Sequence, residues 1–249
     1  MRTNSFTHKA EEAFRQFVFR PDFPCLGAKA ALNSGSETMR VFDELGSADS
    51  TDQLAAALSD FTHLVGRDAV EPKYRATPDP GGSTASRPTE YATFIAIFEK
   101  PRETDERGFE KLLWKQLRLL RQHDAARFDW DPSVSSDPGD PHFSFSFGGQ
   151  ALYVIGMHAN NSREARRFPW PTLVFNPHEQ FERLRADGKW KHMQEIIRER
   201  DLQLQGTINP MLSDFGERSE ARQYSGRAVD EDWRAPFPTT NPGKCPFAH

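Results

Sequence analysis

The sequence predicts an α+β chain, in which helices and strands are interspersed around an antiparallel hairpin. Three observations carry this. Residues 107–122 set Phe109, Leu112, Leu113, Leu117 and Leu120 along one apolar stripe with Lys and Arg opposite, the pattern of an amphipathic helix. Residues 142–147 read His-Phe-Ser-Phe-Ser-Phe, a strict alternation with the period of a strand. Gly148-Gly149 then supplies a tight turn into the apolar run Ala151–Met157, so a hairpin is predicted over about 142–157.

The remaining elements follow in chain order. Residues 9–20 place Phe14, Phe17 and Val18 on one helical face, and Pro21 stops the helix. Pro21 to Gly35 is turn-rich and carries Phe23-Pro24-Cys25. Leu54, Leu58, Phe61 and Leu64 predict a helix over 51–65, with Ser50 or Thr51 as its cap. Residues 71–90 are dense in Pro, Gly, Ser and Thr and read as a surface loop. Residues 91–98 (YATFIAIF) read as a strand. Asp129 to Pro141 is a second loop. Residues 178–185 and 189–200 read as two helices broken at Gly188, and the tail from Asp201 has little periodicity.

A length of 249 residues suits one large domain or two small ones. With no linker in evidence, the expectation is a single domain over 1–249, with flanking helices on the sheet and a flexible tail from about 238. A hydrophobic fraction of 37% is low, so the core must be concentrated in a few segments. The net charge of −4, with both signs interspersed, argues against a nucleic-acid partner, which demands a basic field. No run approaches the roughly 20 apolar residues that cross a bilayer, so no membrane partner is expected. Met1 to Ala10 lacks the apolar stretch of a signal peptide, and a cytoplasmic protein is the expectation. Two cysteines, Cys25 and Cys245, make no disulfide framework and read as reduced thiols, either of which has the chemistry to ligate a metal.

After Met157 the chain turns dense in His, Arg, Asn and aromatics, where a rigid strand end meets a loop. His158 sits at that point, either as an ordinary strand-end histidine or as a functional one. Arg163, Arg166 and Arg167 follow, and clustered guanidinium groups ask for an anion or for nearby acids such as Glu164. In Asn176-Pro177-His178, Asn176 suits an N-cap and Pro177 the first helical position. His178 then falls in the first turn, where the helix dipole favours the neutral imidazole that binds iron or accepts a proton. HExxH, CxxC, EF-hand, GxGxxG and GxxxxGK patterns are absent, and Ser225 is in no GxSxG elbow.

Several blocks in order resemble the YqcI/YcgG family. They are Phe23-Pro24-Cys25; Val154 to His158 with Ser162-Arg163 and Ala165 to Phe168; Leu173 to His178 with Gln180 to Glu182 and Leu184-Arg185; Gln205-Gly206 with Ile208 to Leu212; and Ser219 to Arg227. The likeness is dense over about 152–237. Ala159 stands where the family often has proline, and Cys245-Pro246-Phe247 falls later than the family's Trp-Cys-Pro-Phe, here Trp233 to Phe237. The family's characterised members are similar to haem-dependent N-oxygenases of the guanitoxin and D-cycloserine pathways. The resemblance therefore implies haem b, O₂ as co-substrate, an electron donor or reductase, and a small guanidine or amine substrate; it leaves room for a homodimer. On that footing His158 is expected to ligate the iron with His178 distal, or the reverse, and Cys25 offers a thiolate alternative. Arg163, Arg166, Arg167 and Arg222 are candidates for the haem propionates. Glu182, Asp214 and Glu220 are the acids that would face a cationic substrate, and Phe143, Phe145 and Phe147 would form an apolar haem wall. A non-catalytic haem sensor or carrier is the alternative, and a haem-free protein stays open beside it.

Overall fold

A computed structural model of the chain describes residues 2–70 and 91–238. Loop 71–90, the tail from 239 and Cys245 lie outside the described residues. The elements run α1 (Arg2–Phe19), α2 (Leu26–Ser34), β1 (Glu37–Glu44), α3 (Ala48–Val70), β2 (Thr93–Lys100), α4 (Glu106–Asp124), β3 (Phe145–Phe147), β4 (Gln150–Met157), a 3-10 turn (Glu164–Arg166), β5 (Thr172–Pro177), α5 (His178–Ala186), α6 (Lys189–Gln205) and α7 (Ala221–Tyr224). The five strands form one sheet in the order β1-β2-β5-β4-β3. The fold is α+β, and the hairpin pairs β3 with β4, Phe147 opposite Gln150, across Gly148 and Gly149, both at positive φ. The sheet is mostly antiparallel, but β1 lies parallel to β2. That parallel pair needs a crossover, which α3 supplies.

Strand alternation splits the sheet into two apolar faces. Phe94, Ala96 and Phe98 of β2, Leu173 and Phe175 of β5, and Leu152 and Val154 of β4 point to one face. There they meet Leu54, Leu58 and Phe61 of α3, and Phe109, Leu113, Leu117 and Leu120 of α4. The α4 stripe is therefore the core stripe the sequence marks, capped by Asp105, whose side chain accepts from Gly108 N at 2.7 Å. Ile95, Ile97, Val174 and Met157 point to the opposite face, against Phe14, Phe17 and Val18 of α1 and Phe23 before α2. Helices thus cover both faces of the sheet, which explains why β2 reads as a continuous apolar run.

Where β4 crosses beneath α4, Gly156 keeps the layers close. A Cβ there would meet Leu113 Cδ1 at 2.7 Å, Phe109 Cε1 at 2.7 Å and the Tyr224 carbonyl at 2.8 Å. Gly156→Ala is expected to destabilise by about 1–3 kcal/mol through overpacking, read as a lower urea midpoint with an unchanged m-value.

Several local expectations need correction. The 21–35 segment holds α2, with Cys25 as its N-cap and Gly35 in the left-handed region at its end. β1 and β5 went unmarked because β1, though eight residues long, is mostly polar and lacks a clean alternation, and β5 is short. The cap of α3 is Ser47, whose hydroxyl accepts from Ser50 N at 3.2 Å; Ser50 and Thr51 lie inside the helix. Asn176 caps nothing. It sits in β5, accepting from Thr93 Oγ1 at 3.0 Å, and α5 starts only at His178. The α6 helix runs past Asp201 to Gln205, ended by Gly206 at positive φ. Ser144 and Ser146 are as buried as their Phe neighbours, so no solvent-facing side exists along 143–147.

A buried cavity as the candidate active site

The face of β4 and β5 that carries Tyr153, Ile155, Val174 and Asn176 does not close completely on the helices. It lines a cavity of about 310 Å³, roofed by α1 and α2 (Phe14, Val18, Cys25) and walled by α5, α6 and the 3-10 turn. This is a mainly apolar pocket with a few convergent polar groups, the setting in which small-molecule sites are built.

His178 reaches this wall because β5 runs directly into α5. The imidazole is buried and packs on Phe215 at 4.5 Å between ring centroids. Its Nε2 lies 3.3 Å from Glu182 Oε1, one helical turn on, and its Nδ1 is buried with no hydrogen-bond partner. Burial holds the His178 pKa below the ordinary histidine value, against the pull of Glu182. Glu182 itself is half-exposed and outside the cavity lining, where it is also bonded to Arg185. It orients the ring and does not face the cavity.

His158 is placed elsewhere. Side chains alternate along β4, so Tyr153, Ile155 and Met157 face the cavity, while His158 points through to the α4 face. There it stacks on Phe109 at 4.5 Å, with both ring nitrogens buried and unpartnered. Burial lowers its pKa. The expectation that His158 and His178 flank one iron is therefore corrected: the sheet lies between them, and only His178 lines the cavity.

Phe145, with Phe143 and Phe147, also belongs to the α3/α4 core and is not a cavity wall. The apolar wall comes instead from Phe14, Phe23, Ile155, Phe181 and Trp190. Nor do the arginines act as a group. Arg163 is committed to Asp201 at 2.5 Å and to Thr207 O at 2.8 Å. Arg167 donates to the Asn161 carbonyl at 3.0 Å, and Arg222 to the Asp230 carbonyl at 2.6 Å; both tie down loops away from the cavity. Arg166 lines it, as do Arg163 and Arg185.

Glu220 also lines the cavity and is buried. Its Oε1 accepts from Tyr224 Oη at 2.5 Å, and Tyr224 Oη accepts in turn from Phe145 N at 3.0 Å. Desolvation raises the Glu220 pKa to about 8, so it carries its proton at neutral pH. Because the unfolded carboxyl ionises near 4.5, the folded state binds the extra proton between that value and about 8. This contribution to stability is complete below about 4.5 and is lost as pH rises to about 8. Glu220→Gln is expected to flatten that decline, as measured by urea midpoints across pH 5 to 9.

Asp214 lines the cavity and accepts from Gln194 Nε2 at 2.6 Å. Cys25 lines it too, its sulfur accepting from Ala28 N at 3.4 Å, and burial pushes the thiol pKa up, which works against a thiolate. Tyr153, Arg185, Trp190 and Gln223 escaped the sequence reading. The signal for Tyr153 was present, as the one hydroxyl within the apolar run of β4. The others depend on how α5, α6 and α7 dock.

Fold and site together define a mixed α+β protein with a partly open, mainly apolar cavity beside its sheet. The YqcI/YcgG family model matches residues 14–238, and the chain belongs to that family. Among curated proteins it is similar to the uncharacterized protein YqcI of Bacillus subtilis (strain 168), 31% identical over 151 residues. That alignment covers 57% of this chain and 59% of the relative. No solved structure matches the chain. Among the described residues no helix is long and apolar enough to cross a membrane.

Proposed function

We propose that this protein is a haem-dependent N-oxygenase that hydroxylates a guanidine or amine nitrogen of a small, arginine-like substrate. It takes O₂ as co-substrate and two electrons from a separate donor or reductase, in the cytoplasm. The net reaction inserts one oxygen atom into an N–H bond, and the second leaves as water with two protons and two electrons. The precedent is what the resemblance read from the sequence implies. The observation that carries the reading is the His178 imidazole in the cavity wall, neutral by burial, with Nδ1 unpartnered and Nε2 beside a carboxylate.

The residues fit haem b in donor chemistry. Among the described residues no three His, Cys, Asp or Glu side chains gather as a metal-ion site. A porphyrin brings four nitrogens of its own and asks the protein for an axial ligand. His178 would hold the group, with Cys25 the other cavity-lining candidate, and Arg185, which also pairs with Glu182, would lie on the lining where a propionate could reach it. When bound, the haem supplies O₂ binding and O–O cleavage. Glu182 fixes the imidazole as an outer-shell partner does, which raises ligand basicity. Glu220 holds a proton at its carboxyl, beside Tyr224 Oη, and would serve as a proton source on the cavity lining. Phe14, Phe23 and Trp190 supply apolar lining, which lowers the local polarity around these groups.

The test loads the purified protein with haemin, adds a chemical reductant and ¹⁸O₂, and screens guanidines and amines by mass spectrometry. The expected product is an N-hydroxyl compound carrying one ¹⁸O. A Soret band without turnover would replace the enzyme by a haem sensor or carrier, and no Soret band would remove both.

A further inference from the structure

We propose that Gln180 is a specificity-determining residue of this cavity. Its side-chain carboxamide, with the Trp190 indole N–H at the same α5–α6 corner, grips an uncharged ligand group that carries an N–H and a lone-pair acceptor together, as a carboxamide, urea or lactam does. This anchor goes beyond the function proposed above and stands on geometry alone.

Gln180 is the third residue of α5 and is 8% exposed. It lines the cavity, and its Oε1 is buried with no hydrogen-bond partner. A glutamine at this position ordinarily reaches back to the backbone N–H of the residue that caps the helix. Here that residue is Pro177, which has no N–H, and no side-chain cap bond forms. The helix start therefore gives the amide no partner. The other carboxamides on the lining are engaged among the described residues. Asn176 accepts from Thr93 Oγ1, Gln194 donates to Asp214, Asn209 accepts from Met211 N, and Gln223 accepts from Tyr153 Oη.

Trp190 brings a second orphan. It stands near the start of α6, which follows α5 after only Asp187 and Gly188, and it also lines the cavity. Its Nε1 is buried with no partner. Its ring is held by Phe181, at 5.6 Å between centroids, and by the Arg185 guanidinium 5.2 Å over it. A buried polar group left unpaired keeps its full desolvation penalty, and a ligand that pairs it removes that penalty. A site built in this way rejects analogues that leave its groups unpaired. Whichever way the Gln180 carboxamide turns, it presents a donor beside an acceptor. The complementary group has the same pair in reverse. It is uncharged, since an ammonium or guanidinium offers donors alone and a carboxylate acceptors alone.

The experiment is calorimetric titration of the full chain with three probes. Hexanamide carries both an N–H and a carbonyl, N,N-dimethylhexanamide keeps only the carbonyl, and hexylamine is a cation with donors alone. Wild type is expected to bind hexanamide at least about tenfold more tightly than either of the others. Gln180→Met, which keeps the unbranched stem, is expected to erase that preference, and Trp190→Phe to reduce it. Urea unfolding of the ligand-free proteins supplies a readout that a structural glutamine would move the other way. The Gln180→Met midpoint is expected to hold or rise, because an orphaned acceptor is removed. Equal binding of hexanamide and its dimethyl analogue by wild type, tighter binding of hexylamine, or a preference that survives Gln180→Met overturns the proposal. So does a Gln180→Met protein whose midpoint falls or which fails to fold, since the amide would then serve the fold. The titrations involve no turnover, so hexanamide selectivity without N-hydroxylation of any amine would uphold Gln180 while the N-oxygenase reading failed.

Discussion

His178→Ala is expected to abolish the Soret band that haemin gives with the wild-type protein, whereas His158→Ala leaves it in place. Both histidines are buried, and burial lowers the pKa of each, so both are neutral bases at pH 7. They differ in position. His178 lines the cavity, and His158 is across the sheet, stacked on Phe109. Losing an outer-shell partner of a metal ligand costs about 10–100-fold in affinity, so Glu182→Gln is expected to weaken haem binding by that factor. Losing the ligand itself must cost more. The measurement is haemin titration followed by absorbance, with Cys25→Ser alongside. A band retained in His178→Ala and lost in Cys25→Ser would move the ligand to the thiol.

Asp201→Ala is expected to cost about 3–5 kcal/mol of stability, the usual penalty for leaving one partner of a buried ion pair alone. Asp201 on α6 meets Arg163 before the 3-10 turn at 2.5 Å, and both side chains are over nine-tenths buried. Asp201 Oδ2 also accepts from Asn209 N at 3.0 Å, so the substitution strips two donors at once. Denaturant unfolding of Asp201→Ala, Arg163→Met and the Arg163→Met/Asp201→Leu double variant separates the terms. The double variant is expected to recover most of the loss, because no lone charge is left behind. Were Asp201→Ala to cost under about 1 kcal/mol, the value of an exposed pair, the contact would carry no structural weight.

The α4 stripe and the β3–β4 hairpin were legible because each pattern is local: one face of a helix, one alternation with a glycine turn. His178, Glu220 and Arg166 were legible as chemistry-bearing residues in matching blocks. Their partners were not, because partners depend on tertiary docking. Side-chain parity along β4 decides that Met157 faces the cavity and His158 does not, and this parity was available in principle from the alternation of Leu152, Val154 and Gly156. The Phe143–Phe147 alternation misled because aromatic side chains look equally suited to a core and to a cofactor wall. What separates the two is which sheet face closes on α4 and which stays open under α1, and no local pattern encodes that.

The cavity has walls from both ends of the described chain: Phe14, Phe23 and Cys25 on one side, Arg166, His178 and Glu220 on the other. Nothing short of the assembled tertiary structure presents the site. Occupancy therefore acts as a clasp across the fold, and whatever sits there ties the unfolding of α1 and α2 to that of the segment after β4. By mass action a ligand at a hundred times its dissociation constant adds about 2.7 kcal/mol to the folded state. Here that gain is shared between the helices before β1 and the distant loops they roof, so filling the cavity is expected to slow proteolytic nicking around Pro21 as well as to raise the melting temperature.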